Sequence, residues 1–238
     1  SIFIDLSLGG KGATLKGISI QKGLAALKGK GRIHFYPIVE FDQVELVATG
    51  PDDSFTKWIP ELENTDPNLE AYVSLGLELA GPILSPHAKV YLQADELSSK
   101  FLNADKVSLN AELKENLLKL NEVKVRDGSG EARIKLDHEY SLETKISKID
   151  IKDIVVDLNI MPASTIFHFL GETLKPLDAD LSGRLSVDLS DRGLRIRGAG
   201  PLQLQNLQVQ IGQGDPLISH PHARARDLDL YLDFEPFN

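Results

Sequence analysis

The sequence predicts an all-β protein: a long, twisted, mostly antiparallel sheet curled into a trough with an apolar interior, carrying one short amphipathic helix. Three observations predict it. Apolar residues recur at every second position in segment after segment, which puts them on one face of a strand. The segments are joined by short Gly-bearing turns of the kind that connect antiparallel neighbours. No alternation of strands with helices accompanies them, so a parallel, doubly wound sheet is not expected.

The segments follow one another along the whole chain. Ile2, Ile4, Leu6 and Leu8 form the first, and Val73, Leu75, Leu77 and Leu79 another. Val107, Leu109, Ala111 and Leu113 come next, then Leu118, Leu120, Val123 and Val125, whose change of phase after Leu120 reads as a bulge or tight bend. Ala132, Ile134 and Leu136 follow, then Leu142 and Ile146, and then Ile154, Val156, Leu158 and Ile160. Leu185, Val187 and Leu189 are followed by Leu194 and Ile196, by Leu202, Leu204, Leu207 and Val209, and by Leu228, Leu230, Leu232 and Phe234. This amounts to about fifteen strands in an antiparallel meander. Turns are expected at Asp127-Gly128-Ser129-Gly130 and at Asp191-Arg192-Gly193. The helix is expected over residues 162–174. Pro162 and Ser164 suit its start, Pro176 lies beyond its end, and Ile166, Phe169, Leu170 and Leu174 make one apolar stripe. A weaker helical turn around Trp58 is limited by Pro60. Alternation reaches both ends of the sequence, so it is expected to be cut from a longer protein.

Composition removes several function classes. The net charge of -9 argues against a nucleic-acid partner, since phosphate neutralisation needs a basic face. The absence of cysteine removes disulfides and thiolate chemistry. No apolar run is long enough for a membrane-crossing helix. Catalytic and metal sites are not expected, nor any cofactor. His220-Pro221-His222 offers imidazoles two apart but too few ligands for zinc, and reads as a loop. Gly10-Lys11-Gly12 and Gly29-Lys30-Gly31 lack the spacing of a phosphate loop and read as hairpin turns. Asp227, Asp229 and Asp233 alternate with leucines and read as the outer face of a strand, as do Arg195 and Arg197.

A sheet with one apolar face cannot stay bare in water, because each Å² of exposed apolar area costs roughly 25 cal/mol. It must pack as a sandwich, close as a barrel, or curl and hold something apolar. With few aromatics, this chain lacks the girdles of an outer-membrane barrel, and it has too many short strands for a lipocalin. The candidate lining of the groove is Leu75, Leu77, Leu109, Leu113, Ile134, Leu136, Val156, Leu158, Leu185, Val187, Leu202 and Leu204. The alternative is a structural or protein-binding β-sandwich.

The residues from Val107 to Phe234 resemble the repeating β modules of the AsmA/TamB group of bacterial envelope proteins. The resemblance is carried by the alternating runs of 107–113 and 118–125, the Gly128-Ser129-Gly130 turn and the segment 131–136. It continues in the helical insert at Ile166-Phe167-His168-Phe169-Leu170, the apolar-Ser-Gly-x-Leu pattern at Leu181-Ser182-Gly183-Arg184-Leu185, and the Gly198-Ala199-Gly200 stretch before Leu202. The first hundred residues share only the pattern. The chain is accordingly divided into a β-groove segment at 1–105 and an AsmA/TamB-like segment at 106–238, expected to form one continuous sheet. The resemblance implies a taco-like groove in the periplasm, in a protein anchored in the inner membrane. It also implies passage of phospholipid acyl chains toward the outer membrane, an outer-membrane barrel as partner, and no catalytic residues.

Overall fold

The structure, a computed structural model, describes residues 1–35, 37–51, 70–99, 102–115, 117–135, 139–141, 150–166, 177–190, 193–209 and 218–233. The strands are β1 (Ile2–Gly9), β2 (Gly12–Lys22), β3 (Ala25–His34), β4 (Glu40–Pro51), β5 (Glu70–Pro82), β6 (His87–Ser98), β7 (Asn103–Lys114) and β8 (Leu117–Asp127). They continue as β9 (Gly130–Lys135), β10 (Glu139–Ser141), β11 (Asp150–Pro162), β12 (Leu177–Ser190), β13 (Gly193–Gly198), β14 (Leu202–Val209), β15 (Ile218–Ala225) and β16 (Asp229–Asp233). They pair in the order β1 to β9, then β11, β12, β13 and β16, with β10 on β8, β14 on β12 and β15 on β14. The fold class is the expected one: all-β and antiparallel, an open sheet and not a closed barrel.

The expected helix is described only at its start, and it begins one residue later than expected. Pro162 is the last residue of β11, and the helix α1 covers Ala163–Ile166 among the described residues. Phe169, Leu170 and Leu174 of the expected stripe, the Trp58 segment, Leu136 and the 142–146 run lie outside the described residues.

The chain divides into two compact units. The first holds residues 1–97, 108–121 and 139–144; the second holds 98–107, 122–138 and 145–238. Strands β7 and β8 each run from one unit into the other. Along β8, the pairing recorded at Leu117, Leu118 and Lys119 is with β10, and from Glu122 onward with β9.

In the first unit, register puts Ile2, Ile4, Leu6 and Leu8 opposite Ile20, Ile18, Leu15 and Ala13. The same face continues through Leu27 to Ala48 and Leu75, and through Leu46 to Leu77. Gly29-Lys30-Gly31 is therefore no turn. It lies inside β3, where the two glycines leave room for neighbouring side chains. A Cβ on Gly29 would lie 2.5 Å from Leu46 Cδ2, and one on Gly31 2.6 Å from the Val44 Cα. Gly9 and Gly12, in contrast, close the β1–β2 hairpin as expected.

The second unit has a packed core. Met161 and Leu185 are its most deeply buried large side chains, joined by Val156, Leu158, Leu181, Ile196 and Leu202. The expected turn closes β8 on β9 at Asp127 and Gly130. Gly130 permits a close approach there, since a Cβ would lie 2.7 Å from the Ile160 carbonyl oxygen. The Gly128 amide donates to Asp105 Oδ2 at 2.8 Å, and the buried Thr165 hydroxyl of α1 donates to Asp127. α1 touches β11 and β12, with Ile166 against the core.

β12 is where the sheet branches. Its first half pairs with β14 and its second half with β13, so one strand feeds two branches, β14–β15 and β13–β16. Gly183 stands at the junction with φ +143°, and a Cβ there would lie 2.8 Å from Leu202 Cδ2. His220-Pro221-His222 is a correction: it is not a loop but part of β15, paired along its length with β14. Pro221 is compatible with an edge strand, where the missing N–H interrupts no second ladder.

Candidate functional site

The candidate site is the apolar face, and its uniformity depends on bulges. In β2, Leu15 and Ile18 are three residues apart yet share a face, because the strand carries one extra residue relative to both β1 and β3. The same device joins Phe41 to Val44 in β4, Ile151 to Ile154 and Leu158 to Met161 in β11, and Leu204 to Leu207 in β14. The extra residues include Gln43, Asp153, Ile160 and Asn206, all with positive φ. A bulge frees a backbone amide that needs a partner. The Asp153 amide donates to Asp188 Oδ1 and the Ile160 amide to Ser182 Oγ, both at 2.9 Å, while the Asn206 side-chain amide donates to Asp180 Oδ2 at 2.9 Å. Three polar side chains of β12 thus hold bulges in the strands beside it.

The two units differ in how the apolar face is covered. In the first, the buried apolar side chains among the described residues are Ala25, Ala48, Ala88, Ala94 and Ala111. The larger ones stay half-buried, as with Leu27, Leu46, Leu75, Leu77 and Leu79, or exposed, as with Leu8 at 73%. Leu109 and Leu113 of β7 are half-buried on either side of buried Ala111. In the second unit Val156, Leu158, Leu185 and Leu202 are buried in the core, whereas Ile134, Val187 and Leu204 are half-buried at its margin. The expected lining therefore divides into residues that are still accessible and residues already consumed by packing. Sequence reasoning missed Leu27, Phe41, Val44 and Leu46, because glycines and a bulge break the alternation of β3 and β4. The usable signal was apolar residues three apart inside an otherwise alternating run.

The opposite face is charged and internally neutralised. In the second unit Glu131 joins Arg126 at 2.9 Å and also Arg133, Asp157 meets Arg184 at 2.7 Å, Asp188 meets Arg197 at 2.7 Å, and Asp229 meets Arg195 at 2.6 Å. Asp229 and Arg195 thus sit on the outer face, as expected. Hydrogen bonds from Arg133 and then Arg126 lower the pKa of Glu131; those from Arg184 and Arg195 lower Asp157 and Asp229. In each case the guanidinium favours the charged carboxylate.

Among the described residues no cluster of three or more His, Cys, Asp or Glu could hold a metal ion, and no helix is long and apolar enough to cross a membrane. The chain matches no protein-family model, no curated protein and no solved structure.

Proposed function

We propose that the protein is a passive phospholipid conduit, an AsmA/TamB-like element of the bacterial envelope. It would act in the periplasm within an inner-membrane-anchored protein and pass acyl chains toward the outer membrane, where a barrel protein is the expected partner. The carrying observation is the half-exposed Leu, Ile and Val surface of the first unit. That surface has aligned apolar rows from β1 to β5 and no buried apolar side chain larger than alanine among the described residues. Bare apolar area of this extent costs free energy in water, and acyl chains lying along the rows remove the cost. The surface offers no directional polar contact, so it grips weakly and a chain can slide. No catalysis is invoked.

Native mass spectrometry of the purified chain, followed by lipid extraction, tests this reading. Co-purifying phospholipid is expected, and Leu46→Asp with Leu77→Asp should abolish it while the other-face change Lys28→Glu leaves it intact. Leu158 and Leu185 are unsuitable probes, because a charge there would strike the buried core rather than the open surface. A folded, lipid-free wild type would point instead to the alternative, a structural or protein-binding β module.

A further inference from the structure

The branch β14–β15 carries a cationic strip that the rest of the unit does not explain. Five arginines of the second unit, Arg126, Arg133, Arg184, Arg195 and Arg197, are paired with carboxylates. Arg224 and Arg226 form no ion pair among the described residues, and neither do His220 and His222. In a chain of net charge -9, four basic or imidazole side chains within seven residues are a local reversal. The strip runs along β15 and ends at Arg226 just beyond it, and among the described residues β15 pairs only with β14.

The register gives the strip a chemistry. Arg224 stands opposite Gln203 and His222 opposite Gln205, so a guanidinium and an imidazole are lined up with two amide side chains. The nearest carboxylate in register is Asp180, opposite Gln205 on β12, and it already accepts from Asn206. The alternate residues of the same two strands are apolar: Leu202 faces Ala225 and Leu204 faces Ala223. A concavity of about 530 Å³ opens at this hairpin, lined by Gln203, Leu204, Gln205, His222, Ala223 and Arg224. His220 is partly committed, since its Nδ1 accepts the His222 amide at 3.2 Å. One thin edge therefore presents phosphate-binding donors on one side and apolar side chains on the other.

We infer that this hairpin holds the phosphate of an anionic phospholipid, with Arg224 and His222 on the headgroup and the acyl chains on the side of Leu204 and Ala223. The inference rests on the lipid-conduit reading and gives the second unit a headgroup station of its own. Charge-assisted bonds to phosphate make the station selective for anionic over neutral lipid.

The test uses isotope-labelled full chain titrated by NMR with three probes: dihexanoyl phosphatidylglycerol, uncharged dihexanoylglycerol and inorganic phosphate. The expected result is that phosphatidylglycerol shifts the Leu204, Ala223 and Arg224 amides and binds about tenfold more tightly than dihexanoylglycerol. The double variant Arg224→Gln with His222→Gln should bring the two lipids to equal affinity while leaving dihexanoylglycerol binding and the circular dichroism spectrum unchanged. Equal affinity of both lipids for the wild type would overturn the headgroup station and leave the conduit reading standing. Inorganic phosphate alone giving the same shifts and affinity would also overturn it, because the site would then read a free anion. Binding of neither lipid would overturn the conduit reading and the station together.

Discussion

At the scale of single residues, the structure separates side chains that hold the fold from those that leave it accessible. Met161 has no exposed surface, so Met161→Ala should cost about 2–5 kcal/mol in urea unfolding, transfer and cavity terms combined. Gly183 is constrained twice, by its positive φ and by Leu202 against it, and Gly183→Ala should cost roughly 1–3 kcal/mol by the same measurement. The carboxylates on the charged face give a pH dependence. The pKa values of Glu131, Asp157 and Asp229 are lower in the folded chain than the ordinary 4.5 for Glu and 3.8 for Asp. A lowered folded value means stability that is fully present above the unfolded value and lost as pH falls through the folded one. Melting temperature should therefore drop between about pH 5 and pH 3, and less steeply in Glu131→Gln, Asp157→Asn, Asp229→Asn. Added salt should shrink the difference, because these groups meet solvent.

At the scale of elements, alternation made the strands legible, and short Gly-bearing turns such as 127–130 made their antiparallel order legible. The long-range features were not. Nothing local in Leu177–Ser190 says that its two halves serve different partners, since that depends on where β13 and β14 return. His220-Pro221-His222 resembled a loop because proline and histidine are poor strand formers, yet an edge strand tolerates both. Gly29 and Gly31 resembled turn residues because the side chains that fill their space come from β4, far along the chain. The bulges yield a sharp prediction. Deleting Gln43 brings Phe41 and Val44 two apart, so both stay on the apolar face and a positive-φ residue is lost. Deleting Gly76 instead, in the stretch of β5 that pairs with β4 without a break from Tyr72 to Leu79, inverts the remainder of that strand. The first variant should melt within a few degrees of wild type, a change of roughly 1–2 kcal/mol at most. The second should lose its cooperative transition in the same thermal scan.

At the scale of the whole molecule, the two units hold their apolar surface differently, and hydrogen exchange should register it. The second unit buries Met161, Leu185 and their neighbours, so amides of β11 and β12 are expected to exchange slowest. The first unit buries alanines among its described apolar residues, so β2 to β5 should open at lower free energy. Phospholipid should slow exchange in β4 and β5 and leave β11 and β12 unchanged. Equal protection of both units without lipid would contradict the burial pattern. The sequence did carry the identity of the apolar face, but not which of its leucines stay accessible. Leu77 and Leu185 look alike in a one-dimensional pattern, and only packing distinguishes them.

The bulges have a consequence for how such a strand can change length. A strand counts modulo two: any single insertion or deletion exchanges its inside and outside from that point on. Each bulge is a place where the count is corrected, and its surplus residue is polar at Gln43, Asp153 and Asn206 and apolar at Ile160. A length change of one residue beside a bulge can be absorbed by creating or erasing that correction, with the damage confined to a few positions. Elsewhere in the strand the same change inverts everything downstream. Tolerance to single-residue insertion should therefore be punctate, concentrated around Gln43, Asp153, Ile160 and Asn206, in a sheet that is otherwise intolerant of any odd change in strand length.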